Sequence, residues 1–294
     1  MRESWKTWVL AARPKTLTAA LVPVGVATAL VHSLGYPPQW RLAAIALATA
    51  LCLQIGTNFF NDALDFLRGA DTADRLGPTR AVQSGKITAR AMLEAGYGCF
   101  ALAAAGSVPL VARGGLPILG LTALSLGCGY AYTGGPYPLA YRGLGDVFVI
   151  LFFGLAAVVG MGFLHTLACP APLWIAGLQI GSLAAVLIAI NNLRDIDGDR
   201  RAGKRTLAVR LGQGGARVQI ALLALFPFVL GLYWAQNGRR LAGLLPCALL
   251  PLALRVVRAV ARHEPGPIFN RFLAMAAALH LGFGVLLALG LWWE

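Results

Sequence analysis

Apolar residues along this chain gather into long runs separated by short polar stretches. A helix needs about 20 mostly apolar residues to cross a bilayer. Runs near that length lie at 17–34, 42–60, 91–111, 115–132, 147–167, 173–192, 218–236, 241–260 and 272–292. The pattern predicts an all-α polytopic membrane protein with nine transmembrane helices.

Composition supports that reading. Of 294 residues, 58% are hydrophobic and 13% charged, with a mean hydropathy of +0.69. A soluble domain carries roughly twice that charged fraction. With the N-terminus in the cytoplasm and nine alternating spans, 21 of the 25 Lys and Arg fall on the cytoplasmic side. The four outside are Arg41, Arg113, Arg239 and Arg240. The positive-inside rule selects this orientation, which puts the C-terminus outside. Trp40, Trp174, Trp234, Trp292 and Trp293 fall at outer span ends, where amphipathic rings prefer the interface. The net charge of +13 then reflects this bias and attraction to anionic lipid rather than nucleic acid. Cys52, Cys99, Cys128, Cys169 and Cys247 form no C-x-x-C pair and read as small apolar filler. The first span superficially resembles a signal peptide, but eight more follow, so it is expected to stay as a membrane helix.

Seven of the 12 acids lie in two stretches, "NFFNDALDFLRGADTADR" (58–75) and "NNLRDIDGDRRAGKR" (191–205). Each follows an apolar run and places Asn ahead of spaced Asp, which predicts a repeated functional unit in two halves, roughly 1–145 and 146–294, of one domain. Asn58, Asn61, Asp62 and Asp65 recur at i, i+3, i+4 and i+7, one face of a continuing helix. Asn192, Asp195 and Asp199 do the same at i, i+3 and i+7. Stacked carboxylates repel unless a cation lies between them, and acids at a membrane edge mark functional sites. Oxygen ligands without His or Cys suit a hard cation, Mg²⁺ above all, shared with substrate phosphates.

Basic residues adjoin each acidic set: Arg68, Arg75, Arg80 and Lys86 after the first, Arg194, Arg200, Arg201, Lys204 and Arg205 around the second. Acid, metal and base together can hold a diphosphate and stabilise it as a leaving group. Arg210, Arg217, Arg255, Arg258 and Arg262 read first as topology determinants, and "ADTADR" also reads as an ordinary loop with a helix cap. "GDRRAGKR" spells G-x-x-x-x-G-K, but Arg205 stands where a P-loop needs Ser or Thr, and no strand precedes it. An ATPase is excluded. His32, His165, His263 and His280 show no metal-ligand spacing.

These motifs resemble the UbiA-type intramembrane prenyltransferases, and within them the naphthoate-prenylating branch. "ARPKTLTAALVPVGVA", "GTNFFNDALDFLRGADT", "GPTRAVQSGKIT", "GPYPLAYRGLGDVFVILFFG" and "NNLRDIDGDRRAGKRTLAVRLG" carry the likeness, which weakens after residue 215. The resemblance implies a helical bundle around a central cavity, capped on the cytoplasmic side by the two motif loops, in the cell inner membrane. It implies that Asn61, Asp65 and Asp71, with Asn192, Asp195 and Asp199, hold Mg²⁺ and a prenyl diphosphate. Asn58 and Asp62 share the helix face and join the set. Where the family often has Glu after "GLG", this chain has Asp146, one methylene shorter.

The implied reaction transfers a polyprenyl group from an allylic diphosphate to 1,4-dihydroxy-2-naphthoate, with loss of diphosphate and CO₂. Phe59, Phe60, Tyr130 and Tyr132 are placed to shelter an allylic cation or simply to pack. Arg13 and Lys15 are placed to bind the acceptor carboxylate or to anchor the chain on the positive side. The acceptor alternatives are 4-hydroxybenzoate, homogentisate and a non-quinone ring. An ion-coupled transporter is the rival class, and it requires acids at mid-span rather than at span ends.

Overall fold

The computed structural model describes residues 5–70 and 76–294, and all regular structure among them is helical. A short α1 (Trp5–Ala11) leads into α2 (Thr18–Ser33), α3 (Trp40–Leu67) and α4 (Ala89–Ala131). After a turn at Leu139–Arg142 come α5 (Gly145–Thr166), α6 (Ala171–Arg194) and the short α7 (Ile196–Arg201). The chain closes with α8 (Leu207–Gln236), α9 (Arg240–Arg262) and α10 (Phe269–Trp292). Seven of these are long and apolar enough to cross a membrane, and α2 is a shorter apolar helix.

The 43-residue α4 is not one straight rod. Gly115 takes φ 65 and ψ −150, a conformation open essentially to glycine alone, and Pro117 follows. Contacts show the chain doubling back there. Met92, near the start of α4, packs with Phe59 and Ala63 near the C-terminal end of α3, and Tyr130 returns to within 5.3 Å of Phe60. Between them, Arg113 donates to the carbonyls of Leu164 and His165, and the His165 ring accepts the Gln39 N–H at the start of α3.

Helix α6 is central: 72% of its apolar window is buried, against 22–39% for the other six long helices. Small residues let its neighbour come close. A Cβ on Gly154 would sit 2.4 Å from the Gly177 carbonyl oxygen, and Gly154 lies in a π-helical turn, Ile150–Ala156, inside α5. The widened turn brings the α5 backbone against α6.

The bundle has two distinct ends. At one, His32 stacks on Trp292, Trp40 approaches Trp292 at 5.9 Å, and the Glu294 carboxylate accepts the Leu241 and Ala242 amides. At the other, Trp8 of α1 lies edge-on to Phe59 at 5.6 Å. The 28 residues of α3 join the two ends over about 42 Å. Trp234 does not follow the interfacial pattern predicted for it. It is fully buried, and its indole N–H donates to Gln179 at 2.8 Å, so a polar partner inside the bundle replaces the interface.

Candidate active site at the acidic end of the bundle

A polar cavity of about 630 Å³ opens at the Trp8 end, where α3 and α6 finish. Asn61, Asp65, Arg80, Asn192, Asp195, Asp199 and Lys204 line it, as do Arg13, Tyr132, Asp146 and Arg194. The two stretches singled out in the sequence therefore face one another, although 115 residues separate them.

The first motif divides into two stripes. Asn61 and Asp65 face the cavity, whereas Asn58 and Asp62 do not line it. The Asn58 amide donates to the Ala12 carbonyl at 3.0 Å, tying down the N-terminal segment. Asp62 accepts the Ala81 and Val82 amides, one on each oxygen and both at 3.1 Å. The expectation that Asp62 holds a cation gives way: its oxygens fasten the Arg80 loop to α3. One helical face is broad enough to carry both jobs.

Asp65 is the hub. Its Oδ1 accepts from the Tyr141 hydroxyl at 2.9 Å and from Lys204 Nζ at 3.1 Å, and an Arg80 nitrogen lies 3.7 Å from Oδ2. Lys204 also sits 4.7 Å above the Tyr141 ring, while its amide donates to the Asp199 carbonyl. Asn61 accepts a hydrogen bond from the Thr133 hydroxyl.

The second motif departs from the single helical face predicted for it. Helix α6 ends at Arg194, Asp195 takes φ −95 and ψ 11, and α7 starts afresh with Asp197 and Asp199 in its first turn. The break keeps Asn192, Asp195 and Asp199 on the cavity wall.

Arg194 also differs from expectation. Its side chain is 1% exposed, and it grips both Asp195 oxygens at 2.8 and 2.6 Å, Asn191 Oδ1 at 2.8 Å and Asn270 Oδ1 at 2.6 Å. Four hydrogen bonds from the guanidinium are spent on aiming Asp195 and tying Asn191 and Asn270 to it. Asn270 in turn donates to the Leu76 carbonyl.

Other basic candidates stay outside the cavity. Arg68 is exposed and bonds the Gly135 carbonyl, Lys86 is exposed, and exposed Arg205 meets the site only through its amide on the Tyr141 carbonyl. Asp71 and the Lys15 side chain lie outside the described residues. Tyr130, Phe59 and Phe60 pack in aromatic clusters with Tyr97, Trp8 and Phe100, and none of the three lines the polar cavity. Tyr132 differs from them. It lines both the polar cavity and a second, mostly apolar one of about 210 Å³, whose walls include Leu53, Phe148, Phe152 and Leu164.

Sequence reasoning passed over Tyr141, Thr133, Asn191 and Asp197 among residues that line or anchor the site. Of these only Thr133 lay outside the stretches that carry the family likeness. Gln219, which donates to Asp146, and Asn270 had no local signal at all.

Residues 20–280 match the UbiA prenyltransferase family, and the chain belongs to that family. Over 261 residues, 86% of this chain and 85% of the relative, it is 37% identical to 1,4-dihydroxy-2-naphthoate octaprenyltransferase of Mycobacterium tuberculosis. Over 275 residues, 90% of this chain and 88% of the relative, it is 37% identical to the protein of that name from Escherichia coli. Its fold is similar to that of a UbiA homologue from Archaeoglobus fulgidus solved with DMAPP and Mg²⁺. There the TM-score is 0.63 at 17% identity, covering 96% of this chain and 99% of the other.

Proposed function

We propose that this protein is a Mg²⁺-dependent aromatic prenyltransferase that moves a polyprenyl group from an allylic diphosphate to 1,4-dihydroxy-2-naphthoate. CO₂ and diphosphate leave, and a demethylmenaquinol forms. The observation that carries this reading is a polar cavity of acids and cations meeting an apolar one at Tyr132. A prenyl diphosphate has that same division between charged head and apolar tail. The relatives named for this reaction support the choice of acceptor.

The donor set fits Mg²⁺. Asp65, Asp195, Asp199, Asn61 and Asn192 offer only oxygen to the cation. Among the described residues no three His, Cys, Asp or Glu cluster tightly enough to hold an ion by themselves. That suits a cation completed by substrate phosphates and water. When bound, the ion neutralises charge on the departing diphosphate. Lys204, Arg80 and Arg201 supply the cationic wall, and Arg13 faces the acceptor carboxylate. The acids sit at helix ends beside cations, whereas a carrier needs them at the midplane.

The membrane reading has nine crossings, because α4 turns back at Gly115 and α2 adds to the seven long helices. Helix α1 lies at the cavity end and Glu294 at the opposite one, as an odd number requires. The arginine-rich cavity end then faces the cytoplasm of the cell inner membrane.

The test is acceptor choice. Purified protein receives a polyprenyl diphosphate, Mg²⁺ and the naphthoate, 4-hydroxybenzoate or homogentisate in turn, and products are weighed by mass spectrometry. The expected product is the naphthoate adduct without its carboxyl group. Exclusive prenylation of another acceptor would contradict the assignment.

A further inference from the structure

Asp146 carries an oxygen that nothing in the structure satisfies. It is 3% exposed, yet it lines the polar cavity. Gln219 of α8 donates to its Oδ1 at 2.9 Å, while buried Oδ2 has no hydrogen-bond partner. The cavity's other well-buried carboxylate is Asp65, and both its oxygens face cations or a hydroxyl. Asp195 is gripped by Arg194. No ion pair among the described residues involves Asp146.

A buried orphan acceptor is costly unless a ligand completes it. A phosphate cannot, since it too is anionic and offers acceptors. The missing partner is a donor. Position narrows it further. The first turn of α5 straddles the two cavities: Gly145 and Asp146 line the polar one, Phe148 and Val149 the apolar one. A Cβ on Gly145 would lie 2.9 Å from the Tyr132 hydroxyl, and Tyr132 is the residue that both cavities share. With the diphosphate in one cavity and the tail in the other, the reacting carbon of the donor lies at this junction. The aromatic acceptor must come there too.

We propose that Asp146 takes the proton of the acceptor's phenolic hydroxyl, with Gln219 as the positioning residue that aims the carboxylate. This rests on the prenyltransferase reading above. The O–H bond breaks and its proton passes to Oδ2. The freed electron pair drives the ring carbon bearing the carboxylate to bond the allylic carbon, whose bond to oxygen breaks as diphosphate leaves with the pair. The resulting ring ketone lies β to the carboxylate. Loss of CO₂ sends that bond pair back through the ring to the ketone oxygen, and Asp146 returns the proton to it. The proton is lent and restored, so no other reactant is needed.

The decisive variant is Asp146→Asn, which preserves the bond from Gln219 and removes the base. General-base loss corresponds to about 10²–10⁴-fold in kcat. The expected result is a fall of that size with donor KM and Mg²⁺ dependence unchanged. Asp146→Glu should recover part of the activity, and Gln219→Leu should lower kcat less than Asp146→Asn does. Methylating the acceptor hydroxyls should slow the wild type comparably, and the ether should cost Asp146→Asn little further. Should Asp146→Asn misfold, the ether and Asp146→Glu still decide the matter. The inference is overturned if Asp146→Asn works within a few fold of wild type, or if the wild type uses the ether as well as the free phenol. It is equally overturned if the defect is a raised Mg²⁺ or donor requirement, which would put Asp146 in the metal site. Failure of the wider reading looks different: the wild type itself would prenylate no phenolic acceptor.

Discussion

Lys204 reaches across 139 positions of sequence to place its ammonium 3.1 Å from Asp65 Oδ1. That contact joins the loop after the second acidic motif to the helix end that carries the first. It bridges the two motifs across the cavity and leaves a cation poised beside the diphosphate position. Lys204→Ala should therefore raise donor KM, lower kcat or both, by about tenfold or more, from the roughly 1.5–3 kcal/mol of a charged hydrogen bond. Acceptor KM should hold steady. Steady-state kinetics varying one substrate at a time checks this.

Asp62 and Asp65 are three residues apart and should fail in different ways. Asp62→Ala releases the Ala81 and Val82 amides, each bond to a charged acceptor being worth about 1.5–3 kcal/mol. Its thermal unfolding in detergent should drop clearly. Asp65→Ala should stay folded and lose turnover.

Arg194 should be a residue of architecture. Removing it strands Asp195 and unties Asn270, and breaking a buried pair costs about 3–5 kcal/mol. Arg194→Ala should be strongly destabilised. Arg194→Lys should not rescue it, because an ammonium cannot reproduce the bidentate fork. Unfolding midpoints of the two variants measure this.

These contrasts mark where the sequence stopped being readable. The apolar runs at 173–192 and 272–292 closely anticipate α6 (Ala171–Arg194) and α10 (Phe269–Trp292), because helix length and hydropathy are local properties. The meeting of the two acidic motifs was legible too, from their shared residue types. The partners were not. Periodicity places Asp62 on the face of Asp65 but cannot say that backbone amides 19 and 20 residues on will occupy it. Likewise, Arg194 looks like one more basic residue until Asn270, 76 positions away, arrives to take a nitrogen. The break at Asp195 was equally hidden, since i, i+3 and i+7 spacing presumes an unbroken helix.

Gly115 should be intolerant of any side chain. At φ 65 and ψ −150 an alanine costs about 1–3 kcal/mol, and the turn it occupies reverses α4. Gly115→Ala should lower thermal stability while the kinetic constants of the folded fraction remain near wild type. A reporter fused after Glu294 should read as outside the cell membrane, as nine crossings from a cytoplasmic N-terminus require.

The most direct measurement is mass spectrometry of the prenylated product, made from polyprenyl diphosphate and 1,4-dihydroxy-2-naphthoate. It compares wild type with Asp65→Ala and Asp195→Ala, each with Mg²⁺ and with excess chelator. Decarboxylated prenyl product is expected from the wild type with Mg²⁺ alone, and almost none from the folded variants. Undiminished product in chelator, or from either variant, would contradict the claim that these two motifs hold the metal and the diphosphate.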